Sequence, residues 1–309
     1  MPNSLAASRP RFSRHRRLPA LLEGWGPALV FLAPALVMLC LFKVWPIAEA
    51  IYTSTGTFDP GGQHIGTAGF DNFSLALSDS RYRWGLWLSL FAAIAKVPVQ
   101  LVLGLGAALM LRANTGGNAF VRAMIISPMF FGLPVTTFIF AYMFDANVGV
   151  VNAILSGMGV ARVSWLSSEM PAQFLVLGLS VWRDVGVTML VFLAGLSAIP
   201  PQIAAAAKLD GAGPVALLLT ITLPLLARSF QFAVVLATLA SFQILVPVLM
   251  LTKGGPTGAT DLASFQIYET AFSYFDLGTA SAMSIVVLLG LIAIITLELR
   301  WLAVKWTYE

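Results

Sequence analysis

Apolar residues run through this chain in long stretches, and charged residues gather in the short gaps between them. Six stretches reach the length of about 20 residues that a helix needs to cross a bilayer. They are Gly26 to Tyr52, Trp84 to Leu111, Ala123 to Phe144, Ala172 to Ala198, Thr222 to Leu251, and Leu277 to Val304. A bilayer offers the backbone no water to bond to, so such stretches fold as helices. The pattern predicts an all-α integral membrane protein with six transmembrane helices, short connections and no large soluble domain. It divides the chain into a tail at 1–25, a first span at 26–52, an outer loop at 53–83, a membrane domain at 84–304 and a closing tail at 305–309.

Composition agrees. Of 309 residues, 58% are hydrophobic and 10% charged, and the mean hydropathy is +0.86. Soluble domains carry about 25% charged residues, so this inventory cannot build a water-facing surface. Charge then sets the orientation, because Lys and Arg stay on the cytoplasmic side. With the N-terminus inside, the inner segments hold Arg9, Arg11, Arg14, Arg16, Arg17, Arg112, Arg122, Lys208, Arg228, Arg300 and Lys305. The outer loops hold Arg81, Arg83, Arg162 and Lys253. Eleven against four places both termini in the cytoplasm. A basic region ahead of an apolar run also fits a cleaved signal peptide. Here the run is long and no A-x-A-like site precedes the loop at Thr53, which favours a retained helix. Cys40 is the sole cysteine, and His15 and His64 lie in polar segments, so neither a disulfide nor a Cys or His metal cluster is expected.

One polar interruption stands out, "IPPQIAAAAKLDGAG", between the fourth and fifth spans. Pro200 and Pro201 stop one helix and can open another. Four alanines favour a local helix with almost no side-chain bulk, and Gly211 and Gly213 end it. The stretch predicts a short cytoplasmic helix whose small residues let another backbone approach closely. The bland reading is a re-entry loop with helical propensity.

At this point the residues resemble a known family. Ala205, Ala206 and Ala207, then three residues, Gly211, nine residues, and Ile221-Thr222-Leu223-Pro224 have the spacing of the E-A-A loop of permease subunits in binding-protein-dependent ABC importers. Ala205 departs from the family, which usually has glutamate there. "FLAGLSAIPPQI", "KLDGA" and the outer loop "LTKGGPTGATDLASFQIYETAFSYFDLGTASAMS", with Gly254, Gly255 and Pro256, are similar to the sugar-type subgroup related to maltose and glycerol-phosphate permeases. The likeness covers about Trp84 to Glu298, with weaker support from "GFDNF" at Gly69 to Phe73, in a short form lacking a large outer domain. It implies that the 200–213 loop, with Lys208 and Asp210, is a coupling helix seated on an ATPase subunit. It also implies a second homologous permease, two ATPase subunits binding ATP and Mg, and an external substrate-binding protein in the bacterial cytoplasmic membrane. Nothing in the chain has the G-x-x-x-x-G-K-[ST] pattern of a phosphate-cradling loop. The energy source is therefore expected in a separate chain, and no catalytic residue is assigned here.

Ionisable groups at bilayer depth are costly and mark partners or wet paths. Lys43 lies near Trp45 at a span end, where snorkelling accounts for it. Lys96, Gln100, Trp182, Arg183, Asp184, Gln231 and Gln243 are candidates for a polar central path, where rings stack on sugar faces and charged or amide groups bond hydroxyls. The same residues also suit packing between helices. Pro98, Pro128, Pro134 and Pro247 are expected to kink spans two, three and five. The expected cargo is an uncharged carbohydrate or polyol, with a glycerol-phosphate compound as the alternative. An ion-coupled secondary transporter would call for intramembrane carboxylates, and Asp184 alone lies deep in a span. A scaffold and a membrane-embedded enzyme find less support, since no acid cluster or Ser–His arrangement is present.

Overall fold

The computed structural model describes residues 25–302. The tail through residue 24, residues 303 and 304 of the sixth span, and the closing tail with Lys305 lie outside the described residues. The chain comprises two compact units, Met1–Ala50 and Ile51–Glu309. In the first, α1 (Trp25–Leu39) passes through a π-helical turn at Cys40–Val44 into α2 (Trp45–Ser54). Leu29–Ser54 is long and apolar enough to cross a membrane.

The second unit opens with a two-stranded antiparallel hairpin, β1 (Gly56–Phe58) and β2 (His64–Thr67). Next comes α3 (Asp71–Ser78), whose buried Asn72 donates to the carbonyls of Ser54 and Gly56 at 3.0 and 2.9 Å. The long α4 (Ser80–Met110) begins at Asp79, which accepts from the Arg81 amide at 2.8 Å. Then follow α5 (Gly116–Ile126), α6 (Leu133–Met143), α7 (Val150–Gly157) and α8 (Glu169–Ala198). After α9 (Pro201–Leu209) come α10 (Pro214–Ala216), a π-helical turn at Leu217–Thr222, α11 (Leu223–Leu225) and α12 (Ala227–Phe242). A π-helical turn at Val248–Thr252 leads to α13 (Ala263–Phe272) and α14 (Leu277–Trp301).

Four helices have the length and apolarity of a span: Leu29–Ser54, Ser80–Met110, Glu169–Ala198 and Leu277–Trp301. Spans three and five are bent, as their prolines suggest, although the bend in five lies at Leu226 rather than at Pro247. Gly116–Phe130 meets Leu133–Met143 at 99°, and Pro214–Leu225 meets Ala227–Phe242 at 70°. The count is therefore four spans, or up to six if each bent pair is one. The first break falls between Pro128, in a 3-10 turn, and Pro134, in the first turn of α6, so neither proline removes an interior hydrogen bond. Pro98, by contrast, lies inside α4 without ending it. Pro247 sits just ahead of the π-helical turn that follows α12, whose last residue is Phe242 rather than Leu251.

α4 packs along α8, and α12 lies against both. One apolar cluster joins Leu88, Leu175 and Leu179 to Val248 and Phe265, and a second joins Leu101, Met189 and Phe192 to Leu226 and Val234. Burial of apolar area gives helices little reason to associate inside lipid, so close packing between small residues carries the contact. Gly186 shows how close. A β-carbon there would stand 2.7 Å from the Ile125 carbonyl oxygen and 2.8 Å from the Ile126 Cα, both backbone atoms of α5. Gly186→Val should therefore push α8 off α5 at about 1–3 kcal/mol. A lower thermal unfolding temperature of the solubilised protein is the expected readout. Gly178→Val, where a β-carbon meets nothing within 4 Å, is the control that should unfold as the parent does.

Candidate substrate path and coupling helix

Lys96 and Gln100 are one helical turn apart on α4, so they share a face, and that face is turned to α8. Lys96 is completely buried, and its Nζ lies 2.7 Å from Asp184 Oδ2. Gln100 Nε2 donates to Thr188 Oγ1 at 2.8 Å. Thr188 is one turn beyond Asp184, so two polar pairs stack between the same two helices. Arg183 is less committed. Its Nη1 stands 3.9 Å from Asp184 Oδ1, the far edge of an ion pair, and its buried Nε has no hydrogen-bond partner.

Arg183 and Asp184 line a small cavity of about 30 Å³ with Leu133, Ser180, Gln243 and Pro247. Leu133 opens α6 just after the break in span three, and Gln243 follows the last residue of α12. The break in span three and the end of α12 thus both reach the same charged pair, whereas the bend in span five lies at Leu226, away from this cavity. Non-helical backbone at membrane depth is tolerated where protein or a wet cavity covers it.

The other candidates lie elsewhere. Trp182, the residue before Arg183, packs on Phe140 with ring centroids 5.3 Å apart. It borders an apolar groove of about 460 Å³ between α4 and α8, with Val99, Phe174 and Gly178. Gln231 donates from Nε2 to the Leu299 carbonyl at 3.1 Å, tying α12 to α14. Lys96, Gln100, Arg183, Asp184 and Gln243 are therefore close together, while Trp182 meets this group only through the groove that Lys96 also lines, and Gln231 faces α14.

The alanine-rich stretch forms α9, with Ala205, Ala206 and Lys208 exposed and Ala207 buried. Asp210 caps it and Gly211 turns the chain at φ +85°, which a residue with a β-carbon adopts only under strain. The amide of Ala212 donates to the Ala207 carbonyl at 2.9 Å and that of Gly211 to the Lys208 carbonyl at 3.1 Å. This pair of bonds is a Schellman stop. Leu209, beside it, is 89% exposed.

At the opposite end of α4, a cluster went unnoticed in the sequence. Arg81 Nε lies 2.6 Å from Asp261 Oδ2, and its Nη1 lies 2.7 Å from Glu269 Oε2. Gln266 Nε2 donates to the carbonyls of Arg81 and Asp261. Burial raises the Asp261 carboxyl above its ordinary range, against the downward pull of Arg81. These contacts fasten the loop that holds Gly254, Gly255 and Pro256. The loop is further tied by Gln173 Nε2 donating to the Ala259 carbonyl and by a Thr257–Glu169 hydrogen bond. The partners are 180 residues apart in the chain, so spacing alone could not find them.

This fold has known counterparts. The chain is 30% identical over 279 residues to the sulfoquinovosyl glycerol transport system permease protein SmoG of Agrobacterium fabrum, covering 90% of this chain and 91% of the relative. The chain belongs to the permease family of ABC importers. It is a transport component rather than an enzyme, and a membrane protein. It is also 29% identical over 308 residues to the sn-glycerol-3-phosphate transport system permease protein UgpA of Escherichia coli O157:H7, covering 99% of this chain and 100% of the relative. UgpA of Yersinia pestis is likewise 29% identical, over 94% of this chain and 98% of its own length. The fold matches a chain of a bacterial alginate ABC transporter, crystallised with an alginate pentasaccharide-bound periplasmic protein, at a TM-score of 0.76 and 19% identity. That match covers 93% of this permease and 96% of the alginate transporter chain. No family model matches the permease.

The Arg81 cluster gives a direct test. Arg81→Leu leaves the Asp261 carboxylate buried without its cation, which costs about 3–5 kcal/mol. The expected result is a marked fall in the thermal unfolding temperature, with most of the loss recovered in the R81L/D261N pair.

Proposed function

We propose that this permease is one of two homologous permease subunits of an ATP-driven importer in the bacterial cytoplasmic membrane. Its cargo is a carbohydrate or polyol bearing an anionic group. In this reading the two bent helix pairs each count as one span, giving six, with both termini in the cytoplasm. Two ATPase subunits bind ATP and Mg, an external binding protein delivers the cargo, and the 200–213 loop receives the ATPase stroke. Ala205, Ala206, Ala207, Lys208, Asp210 and Gly211 form the docking face, and the Gly254-Gly255-Pro256 loop faces outward. Family membership over nearly the whole chain disfavours the ion-coupled alternative.

The observation that carries the substrate assignment is Arg183. It stands where the break of span three meets the end of α12, and its guanidinium is not saturated by protein acceptors. A guanidinium with free donors recognises phosphate or sulfonate oxygens through paired hydrogen bonds. The names of the relatives support this choice, since sn-glycerol 3-phosphate carries a phosphate and a sulfoquinovosyl group a sulfonate. Gln243 and Ser180 supply neutral groups suited to hydroxyls. The cavity of about 30 Å³ is too narrow for a polyol. Passage therefore requires α6 and α12 to move apart from α8, the motion that the coupling helix would drive.

Two measurements test this reading. Uptake of labelled sn-glycerol 3-phosphate should fall at least tenfold in Arg183→Ala while the permease still co-purifies with its ATPase. Failure of that variant to assemble would assign Arg183 to packing instead. Gly211→Val strains the turn after α9, so it should leave the complex in the membrane hydrolysing ATP with uptake lost. Normal uptake would overturn the coupling assignment.

A further inference from the structure

The cluster holds more charge than an anion site needs at first sight. Lys96 and Arg183 are both cations, and Asp184 is the one carboxylate in contact with either among the described residues. The three groups sum to one positive charge if all are ionised. The geometry divides them unequally. Asp184 gives Oδ2 to Lys96 at 2.7 Å, whereas Arg183 reaches only Oδ1, at 3.9 Å. Lys96 has no exposed side-chain surface and therefore cannot touch cargo in this arrangement. Arg183 keeps about a third of its side chain exposed.

A lysine buried between two helices would ordinarily be excluded from an apolar interior, because an ammonium out of water costs several kcal/mol even when paired. Packing alone is a weak reason for it, since α4 and α8 already fit through Gly104 against Thr188 and through their apolar clusters. What Lys96 does supply is a competing cation for Asp184. Arg183 and Asp184 are neighbours on one helix, and without Lys96 the carboxylate would be free to take the guanidinium.

We infer that Lys96 is a positioning residue: by holding Asp184 at 2.7 Å, it leaves the Arg183 guanidinium only loosely paired, at 3.9 Å, and available to an anionic cargo. This inference rests on the anion-transport reading above, and it assigns the two halves of the cluster different tasks. Lys96 and Asp184 set the electrostatics, and Arg183 makes the contact. The polar pair Gln100–Thr188, one turn further along, keeps the two helices in the register that lets Lys96 reach Asp184.

The experiment reads Arg183 directly. The importer complex, purified from its membrane, is treated with phenylglyoxal, which modifies unpaired guanidinium groups, and the Arg183 peptide is quantified by mass spectrometry. Arg183 should react in the parent. In Lys96→Met the modification should slow about fivefold, the shift that one half-exposed ion pair supports. In the K96M/D184N pair it should return to the parental rate, because no carboxylate remains to capture Arg183. A merely structural Lys96 would give either no change in K96M or no rescue in the pair, and either result overturns the inference. Should K96M fail to accumulate, Lys96→Gln keeps a hydrogen-bond donor to Asp184 without the charge and should show the same slowing. Protection of Arg183 by millimolar sn-glycerol 3-phosphate, with glycerol as the neutral control, reports on the anion reading separately. Rescue without protection would sink the cargo assignment and leave the positioning role standing.

Discussion

A bilayer provides no water to satisfy a polar group, so every charge placed within it must find a partner in the protein. In this permease that constraint is met at one point above all, the contact between Lys96 of α4 and Asp184 of α8. The two helices form the centre of the larger unit, and α12 packs against both of them. The ion pair fixes how they meet, because a slip by one residue in either helix would strand a buried ammonium or expose it to lipid. Gly104 makes the approach close enough for the pair to form, and the Gln100–Thr188 hydrogen bond repeats the lock one turn away. Around this axis the other elements can be irregular. Spans three and five bend sharply, yet their breaks fall against the same two helices, where polar backbone is covered by protein.

Much of this arrangement was legible in the sequence. Apolar run lengths located the long helices, and Pro200, Pro201 and the glycines at 211 and 213 bracketed the short helix α9 within a residue or two. Lys96 and Gln100 were recognisable as one face because their spacing matches a helical turn. The α4–α8 partnership was not recoverable, since nothing local says that residue 96 meets residue 184. Pro128 and Pro134 did signal the bend in span three, while the bend in span five falls at Leu226 and not at Pro247. Hydropathy reports whether a segment prefers lipid, not whether it stays straight, and Gly132 between two prolines reads as apolar as its surroundings. Pro98 misled in the other direction, being carried inside an unbroken helix. Trp182 sits beside Arg183 in the chain, but the roughly 100° between successive helical residues turns it into a separate apolar groove.

The end of α4 at Arg81 follows a different logic from the centre. There the loop from Lys253 to Asp261 contains several backbone turns with positive φ, at Lys253, Gly254, Thr257 and Gly258. Such a segment has little regular hydrogen bonding of its own, and it is held instead by side chains from α4, α8 and α13. Arg81 comes from α4, Glu169 and Gln173 from the start of α8, and Gln266 from α13, so the loop's shape records the relative placement of those helices. Movement at the centre, where α8 and α12 face the cavity, would be felt at this rim through the same contacts.

The interrupted spans also bear on how the protein is made. α6 has 11 residues, a rise of about 16 Å at 1.5 Å per residue, roughly half the hydrocarbon thickness of about 30 Å. It cannot leave the insertion machinery as a self-sufficient transmembrane segment, because the turn at its start would face lipid with unsatisfied backbone groups. Its shelter includes Pro247 and Gln243, more than a hundred residues downstream and not yet synthesised when α6 emerges. The nascent chain must therefore keep this segment in a protected, provisional position until α8 and α12 arrive, which makes late completion of the bundle a built-in step of its biogenesis.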